Sequence, residues 1–289
     1  MPTTVLIARD GQLGGEILRQ LEAAGDDVVA PELEECDINS WPSVERYFAR
    51  FDRVDRIFNA AAYTAVDAAE EDGDAAFQTN AMGAARLAAM SRHFGAKLVY
   101  FSTDYVFGHG HKTLIDESAQ PDPLSVYGAS KWQGEVMSLE NNPATFVMRT
   151  SGLYSPGGNN FVRTMLRVGK QGRALSIVDD EVVSPTWVTP LARVAIDLSR
   201  TELFGTYHAT SHGGCTWFEF AGAIFEKLGM KVDLSPTDSA SWGAPAKRPA
   251  YSMLDNRNLR LVGLDHFEHW RRHLEQFLDL HANRLLEEV

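Results

Sequence analysis

Residues 4–16 read TVLIARDGQLGGE. The β-rich apolar run TVLIA gives way to a short turn and then to QLGGEILRQLEAAG (12–25). There Leu13, Ile17, Leu18 and Leu21 fall on one helical face, and Gly25 suits a helix C-cap. Between strand and helix, Ala8, Gly11 and Gly14 stand at i, i+3 and i+6. Small residues at that spacing let backbone approach a pyrophosphate at a helix N-terminus, where unpaired N–H groups and the helix dipole favour negative charge. The spacing also suits a plain strand-to-helix turn; its position after the first strand of a βαβ pattern points to dinucleotide binding. Ala8 replaces the first glycine of the usual pattern, an exchange expected to cost little.

Outward from this stretch the first half of the chain alternates. DVVA (27–30), RIFNAAA (56–62), KLVYFS (97–102) and TFVMR (145–149) read as further strands. Helical segments are expected at NSWPSVERYFARF (39–51), with cap-type residues and an early proline, and over 74–94 and 126–139. Such alternation implies βαβ units and a parallel sheet. The expected fold is therefore α/β, a Rossmann-type doubly wound parallel sheet with a smaller C-terminal α/β substrate-binding lobe. A dinucleotide-binding domain is expected over 1–150, joined by a helix near 186–200. Most of 151–289 is expected to form the lobe, including the glycine-rich loop YSPGGNN (154–160), a helix over 161–172 and short strands at LSIVDD (175–180) and GTYHATS (205–211).

The chain has 289 residues, 44% hydrophobic and 23% charged, enough for a large core and typical of a globular protein. With 27 basic and 39 acidic residues the net charge is −12, which argues against a nucleic-acid partner, since phosphate backbones demand clustered Lys and Arg. An anionic small ligand would have to be held by local donors. No basic leader precedes the first strand and no apolar run reaches about 18 residues. The expectation is a cytoplasmic protein without a membrane partner. Two distant cysteines, Cys36 and Cys215, suggest neither a disulfide framework nor a metal site.

Cofactor choice is commonly set after the second strand, where a carboxylate bonds the ribose 2′-hydroxyl and a cation accepts a 2′-phosphate. VVAPELEECDI (28–38) offers Glu32 and Glu34 and no cation, which leans towards NADH, although Arg9 could meet a phosphate. In NAAAYT (59–64) the three alanines permit close backbone approach and equally suit core packing.

In SVYGASKWQGE (125–135), Tyr127 and Lys131 are four apart and share a helical face. Thr103 ends a strand about two dozen residues earlier, where open α/β sheets bind ligands. A phenol titrating near ~10 is a reluctant acid–base group, and an adjacent ammonium is expected to lower that pKa. Tyr127 could then deliver a proton to a carbonyl oxygen while a nicotinamide delivers hydride. Ser102 alternates away from Thr103 and is left out of the chemistry.

These segments together, ARDGQLG, NAAAYTAVD, STDYVFG and YGASK, resemble the extended short-chain dehydrogenase/reductases. Within them the chain is similar to the dTDP-4-dehydrorhamnose reductases along essentially its whole length, through AAAYTAVDAAE, FSTDYVF, PLSVYGASKWQGE, RTSGLY, NNFVRTML, SPTWVTPLA, GTYHATSHGGCTWFEFA and AKRPAYSMLD. The resemblance implies NADH- or NADPH-dependent reduction of the C4 keto group of dTDP-4-dehydro-L-rhamnose, with Thr103, Tyr127 and Lys131 as catalytic residues. It implies that Gly11, Gln12, Leu13, Asp37, Ile38, Ala62, Tyr63 and Thr64, with Tyr127 and Lys131, touch the cofactor. It also implies that Thr103, Asp104 and Tyr105 face a dTDP-sugar. Asn80 matches a helix asparagine that supports the active site in the wider family, and is otherwise a helix-packing residue.

Gly152, in RTSGLY, stands where the family usually has a Trp that contacts the sugar nucleotide; its loss is expected to widen the pocket. We expect Asn160, at a helix start, and Arg248 to hold the diphosphate. Glu16 matches one of the glutamates that bind magnesium at a dimer interface in some relatives, but no full set is visible and no required metal is expected. A homodimer is a family-level expectation. The alternatives are a sister reductase of another dTDP-4-keto-6-deoxysugar and a non-catalytic regulatory subunit like that of methionine adenosyltransferase, which shares the fold.

Overall fold

A computed structural model describes residues 3–108 and 110–288. The first half of the chain runs β1 (Thr3–Ile7), α1 (Gln12–Ala23), β2 (Asp27–Val29), α2 (Trp41–Phe48), β3 (Arg56–Asn59), α3 (Gly73–Phe77), α4 (Ala84–Phe94), β4 (Lys97–Thr103), α5 (Val126–Asn141) and β5 (Thr145–Thr150). After it come β6 (Leu153–Tyr154), α6 (Phe161–Lys170), β7 (Leu175–Val178), β8 (Val182–Val183), β9 (Thr186–Trp187), α7 (Val188–Ser199), β10 (Gly205–His208), β11 (Cys215–Thr216), α8 (Trp217–Leu228), β12 (Leu234–Thr237), α9 (Ser239–Trp242), α10 (Arg257–Leu261) and α11 (Trp270–Glu288).

Six strands form one parallel sheet in the order β10-β5-β4-β3-β1-β2. Strand alternation divides the core. Leu6, Phe58, Val99, Phe101, Phe146 and Met148 face α1 and α7, in a cluster that continues into the lobe. Val5, Ile7, Ile57 and Leu98 face α2 and α4. Helices on both faces and near-continuous apolar strands are what a buried parallel sheet requires.

Three local findings differ from the sequence reading. The strand in GTYHATS, expected in the lobe, is β10 at the edge of the main sheet, paired with β5 from Gly205↔Phe146 to His208↔Arg149. The helix expected over 74–94 is interrupted by a π-helical turn, Gln78–Gly83, between α3 and α4. The extra residue per turn accompanies a close approach: a Cβ on Gly83 would sit 2.8 Å from Ile38 Cδ1. Ser40 precedes α2 in extended conformation but makes no side-chain cap bond.

The lobe is built from small sheets, β7 with β12 and β8 with β11, packed with α6, α8 and the C-terminal α11. Phe161, Phe220, Tyr154 and Phe277 join these elements, with Phe161 and Phe220 stacked at 5.6 Å. Cys36 and Cys215 are free and buried.

Candidate active site

The turn after β1 is tighter than small residues alone require. Ala8 is the single non-glycine residue with positive φ (64°) among the described residues, and Gly11 donates to its carbonyl at 3.2 Å. A left-handed alanine costs about 1–2 kcal/mol, so the exchange expected to be nearly free carries strain. A Cβ on Gly14 would lie 2.0 Å from the Ala8 oxygen, so this position admits only glycine without the turn shifting. The result is a backbone cradle at the start of α1 whose donors suit a pyrophosphate.

A cavity of about 610 Å³ opens above it, between the carboxyl ends of the strands and the lobe. Of the residues expected in the site, Gly11, Gln12, Leu13, Ala62, Thr64, Thr103, Asp104, Tyr127, Lys131 and Gly152 line this cavity. The cradle and a long groove floored by alanines fit a nicotinamide dinucleotide. Gln12 also ties the cradle to the lobe: its carbonyl accepts from Ser155 Oγ (2.9 Å) and Asn160 Nδ2 (3.1 Å), and its amide donates to the Asn159 carbonyl (3.2 Å).

Other expected residues sit around the cavity. The Asp37 N–H donates to Ser43 Oγ, and Ile38 is buried against the π-helical turn. Tyr63 is held at both backbone groups by the Asn80 side chain, at 2.9 and 3.1 Å, and Asn80 also donates to Ser130 on α5 (2.9 Å). Tyr105 packs edge-on against Tyr127, centroids 5.9 Å apart. Asn160 caps α6 by accepting from Arg163 N–H.

Gly152 has φ of 54°, and a Cβ there would lie 3.2 Å from Pro185 Cα and 3.6 Å from the Trp217 ring. The space expected to widen beside Gly152 is therefore bordered by Trp217, brought in from α8.

Arg248 lies in the lobe beside a second cavity of about 280 Å³ lined by Phe161, Ile177, Glu181, Trp217 and Trp242 among others. Its guanidinium is bound to Asp67, in the loop that follows β3. Sequence reading missed Trp217, Trp242 and Glu181. The aromatic run TWFEF was visible, but only tertiary packing places it beside Arg248.

Where Thr103, Tyr127 and Lys131 meet, the Thr103 hydroxyl donates to Asp104 (3.1 Å) and accepts from the Tyr105 N–H (3.2 Å). Asp104 also accepts from Ser151 Oγ at 2.8 Å, and burial raises its carboxyl pKa. Lys131 Nζ donates to the Phe101 carbonyl (2.6 Å) and lies 4.3 Å from the Tyr100 ring centroid.

The phenol is not lowered as expected. Burial pushes Tyr127 up to about 12, with a hydrogen bond to Thr103 acting in the opposite direction. Burial likewise brings Lys131 down to about 7, against the pull of Glu135. Desolvation disfavours the charged form of both groups and outweighs the opposing effects of Thr103 on Tyr127 and of Glu135 on Lys131. A phenol protonated across neutral pH is suited to giving a proton.

Residues 3–283 match the family described as RmlD substrate binding domain. The chain is 36% identical over 282 residues to a dTDP-4-dehydrorhamnose reductase of Streptomyces griseus, covering 95% of this chain and 92% of that protein. It is 38% identical over 276 residues to a probable dTDP-4,6-dihydroxy-2-methyloxan-3-one 4-ketoreductase of Streptomyces antibioticus, covering 94% and 93%. A crystal structure of dTDP-4-dehydrorhamnose reductase from Bacillus anthracis in complex with NADP superposes with a TM-score of 0.93 at 40% identity, covering 96% of this chain and 99% of that one.

Proposed function

The chain belongs to the RmlD substrate binding domain family, and on that premise we propose that it reduces the C4 keto group of dTDP-4-dehydro-L-rhamnose to give dTDP-L-rhamnose. The observation that carries the reading is the convergence of Thr103 from the end of β4 with Tyr127 and Lys131 from the first turns of α5 on one cavity. That cavity continues to the cradle at α1.

Gly11, Gln12 and Leu13 would hold the pyrophosphate of the cofactor, and Ala62 and Thr64 would border its groove. When bound, the reduced nicotinamide supplies hydride. Tyr127 donates its phenolic proton to the carbonyl oxygen as that oxygen becomes an alcohol. The Thr103 hydroxyl, kept in place by Asp104 and the Tyr105 N–H, turns to hydrogen-bond the same oxygen. Lys131 in its ammonium form offsets the negative charge left on Tyr127 and would hold the nicotinamide ribose.

For the substrate, Arg248 and the start of α6 at Asn160 would take the diphosphate. The apolar cavity beside Arg248, with Phe161 and Trp217, offers a flat surface for the thymine ring. Asp104 and Tyr105 flank the sugar.

We lean to NADH. Glu32 follows β2, where a carboxylate can bond a ribose 2′-hydroxyl, and it pairs with Arg9, which also donates to the Ala30 carbonyl, so the guanidinium that a 2′-phosphate would need is already partly neutralised. No helix is long and apolar enough to cross a membrane among the described residues. A cytoplasmic homodimer belongs to the same proposal and rests on the family resemblance.

A second reading, a sister reductase of another dTDP-4-keto-6-deoxysugar, is favoured by Gly152 and the Trp217 ring beside it. The test is to supply dTDP-4-dehydro-L-rhamnose and follow nicotinamide oxidation. Tyr127→Phe should lose about 10²–10⁴ in kcat while retaining cofactor binding. No turnover with any 4-keto sugar would leave the regulatory-subunit reading. Turnover unaffected by Tyr127→Phe would remove the phenol from the chemistry, and NMR of the product divides the two reductases.

A further inference from the structure

Beneath the catalytic corner, a row of polar residues crosses the sheet. Ser102 on β4 is paired in register with Arg149 on β5, and Arg149 with His208 on β10. Aligned residues of a parallel sheet project to the same face, here the one covered by α5. Glu135 descends from α5 onto this row. Its carboxylate accepts two bonds from Arg149 Nε (2.9 and 3.2 Å), one from Arg149 Nη2 (2.7 Å) and one from Ser102 Oγ (2.5 Å).

The remaining end of the row is neutral. The His208 Nδ1–H donates to the Ile115 carbonyl at 3.0 Å, leaving Nε2 to accept from Arg149 Nη1 at 3.4 Å. Every member is almost wholly buried: Ser102 4%, Glu135 3%, Arg149 5% and His208 0% exposed.

Glu135 stands one helical turn beyond Lys131, on the same face, as Lys131 stands one turn beyond Tyr127. Lys131 is itself buried, and among the described residues its only side-chain hydrogen bond is to the neutral Phe101 carbonyl. A buried ammonium needs a compensating anion to stay charged. The groups around it are Tyr100 and Asp104 on the β4 side, Tyr127 and Glu135 on its own helix, and Arg149 and His208 on β5 and β10. Glu70 accepts from the Val126 N–H at the N-terminal end of α5, and the π-helical turn contributes the uncharged Asn80. Asp104 is spent on Thr103 and Ser151.

We propose that Glu135 is a positioning residue of the reduction: fixed by Arg149 and Ser102, its carboxylate is the buried counter-charge that keeps Lys131 an ammonium beneath the cavity. The arrangement accounts for a polar row in a place where apolar packing would hold α5 to the sheet with less desolvation. Arg149 prevents the carboxylate from turning directly onto Lys131, so the Lys131 ammonium keeps its donors for the cavity. The proposal rests on the reductase reading for the role of Lys131, but its charge state can be measured without substrate.

The experiment compares wild type, Glu135→Gln, Glu135→Asp and the double variant Glu135→Gln with Arg149→Gln, which removes the pair without leaving a lone buried cation. The Lys131 side chain is titrated by NMR in protein with 13C-labelled lysine, and the alkaline limb of the kcat profile is recorded in parallel. In Glu135→Gln the Lys131 midpoint and the alkaline limb both move down by about one pH unit. The double variant shows a smaller drop in the same direction, and Glu135→Asp returns towards wild type. A Lys131 midpoint unmoved in a folded variant lacking the carboxylate, whatever its rate, overturns the proposal. If instead the midpoint moves and wild type reduces no 4-keto sugar, the reductase reading fails while the charge coupling stands.

Discussion

Arg248 and Asp67 bind each other across the cleft, Nη1 to Oδ1 at 3.0 Å and Nη2 to Oδ2 at 2.9 Å, joining the lobe to the loop that follows β3. Asp67 also accepts from the Ala246 N–H at 3.1 Å, and these donors, Arg248 first, lower its carboxyl pKa. A bidentate clamp holds the guanidinium plane where a diphosphate could share it. Arg248→Ala should raise KM for the dTDP-sugar at least about tenfold with little change in kcat, the pattern of a lost ground-state contact. Asp67→Asn leaves the cation in place and should move KM less. Steady-state kinetics on both variants decides the point, and an unchanged KM in Arg248→Ala removes Arg248 from the substrate site.

Arg9 is engaged by Glu32 just after β2, where the proposed cofactor would place its adenosine ribose. Arg9→Ala should therefore weaken NADPH, raising its KM about tenfold, while NADH is little affected, because only the 2′-phosphate needs the guanidinium. Parallel KM measurements with the two cofactors read the difference, and equal losses would place Arg9 elsewhere.

Gly152 adopts φ of 54° with Pro185 close by. Gly152→Ala should destabilise the protein by about 1–2 kcal/mol through the left-handed backbone. Thermal denaturation should show a midpoint lowered by several degrees. An unchanged midpoint would mean that the turn relaxes freely.

Two buried histidines make stability depend on pH. Burial brings His208 down to about 3 and His273 down to about 4, whereas both titrate near ~6.5 when unfolded. Folded-state values below the unfolded one mean that the unfolded chain takes up the protons. Their contribution is thus complete above about pH 6.5 and is lost progressively as pH falls towards 4. The slope is at most about 1.4 kcal/mol per pH unit for each histidine. Urea denaturation between pH 7 and 4.5 should show the decline, and His273→Asn should flatten it; an equally steep profile in that variant would assign the loss to other groups.

Much of the architecture is legible in the chain because it is encoded locally. Period-2 apolar runs, a helical face at Leu13, Ile17 and Leu21, and glycines in a strand-to-helix turn each follow from nearest neighbours along the backbone. The pairing of Tyr127 with Lys131 is of the same kind, since a spacing of four places both on one face of α5. From sequence alone β10 falls with the lobe, because a four-residue strand carries no mark of the sheet it will join. Its edge position is decided by pairing with β5, more than fifty residues earlier.

The ionisation of the site was illegible for a related reason. A lysine four residues from a tyrosine suggests a lowered phenol pKa, but desolvation depends on everything packed around the pair, and here it dominates. By itself the sequence determined the alternating α/β pattern, the glycine turn at the start of α1 and the shared helical face of Tyr127 and Lys131, all set by short-range geometry. Only the tertiary structure decided that Ala8 is strained, that Arg248 meets Asp67, that Trp217 borders Gly152, and that Glu135, Arg149 and His208 form one buried row beneath Lys131. Those relationships join residues distant along the chain, and their energies depend on exclusion of water by the complete fold.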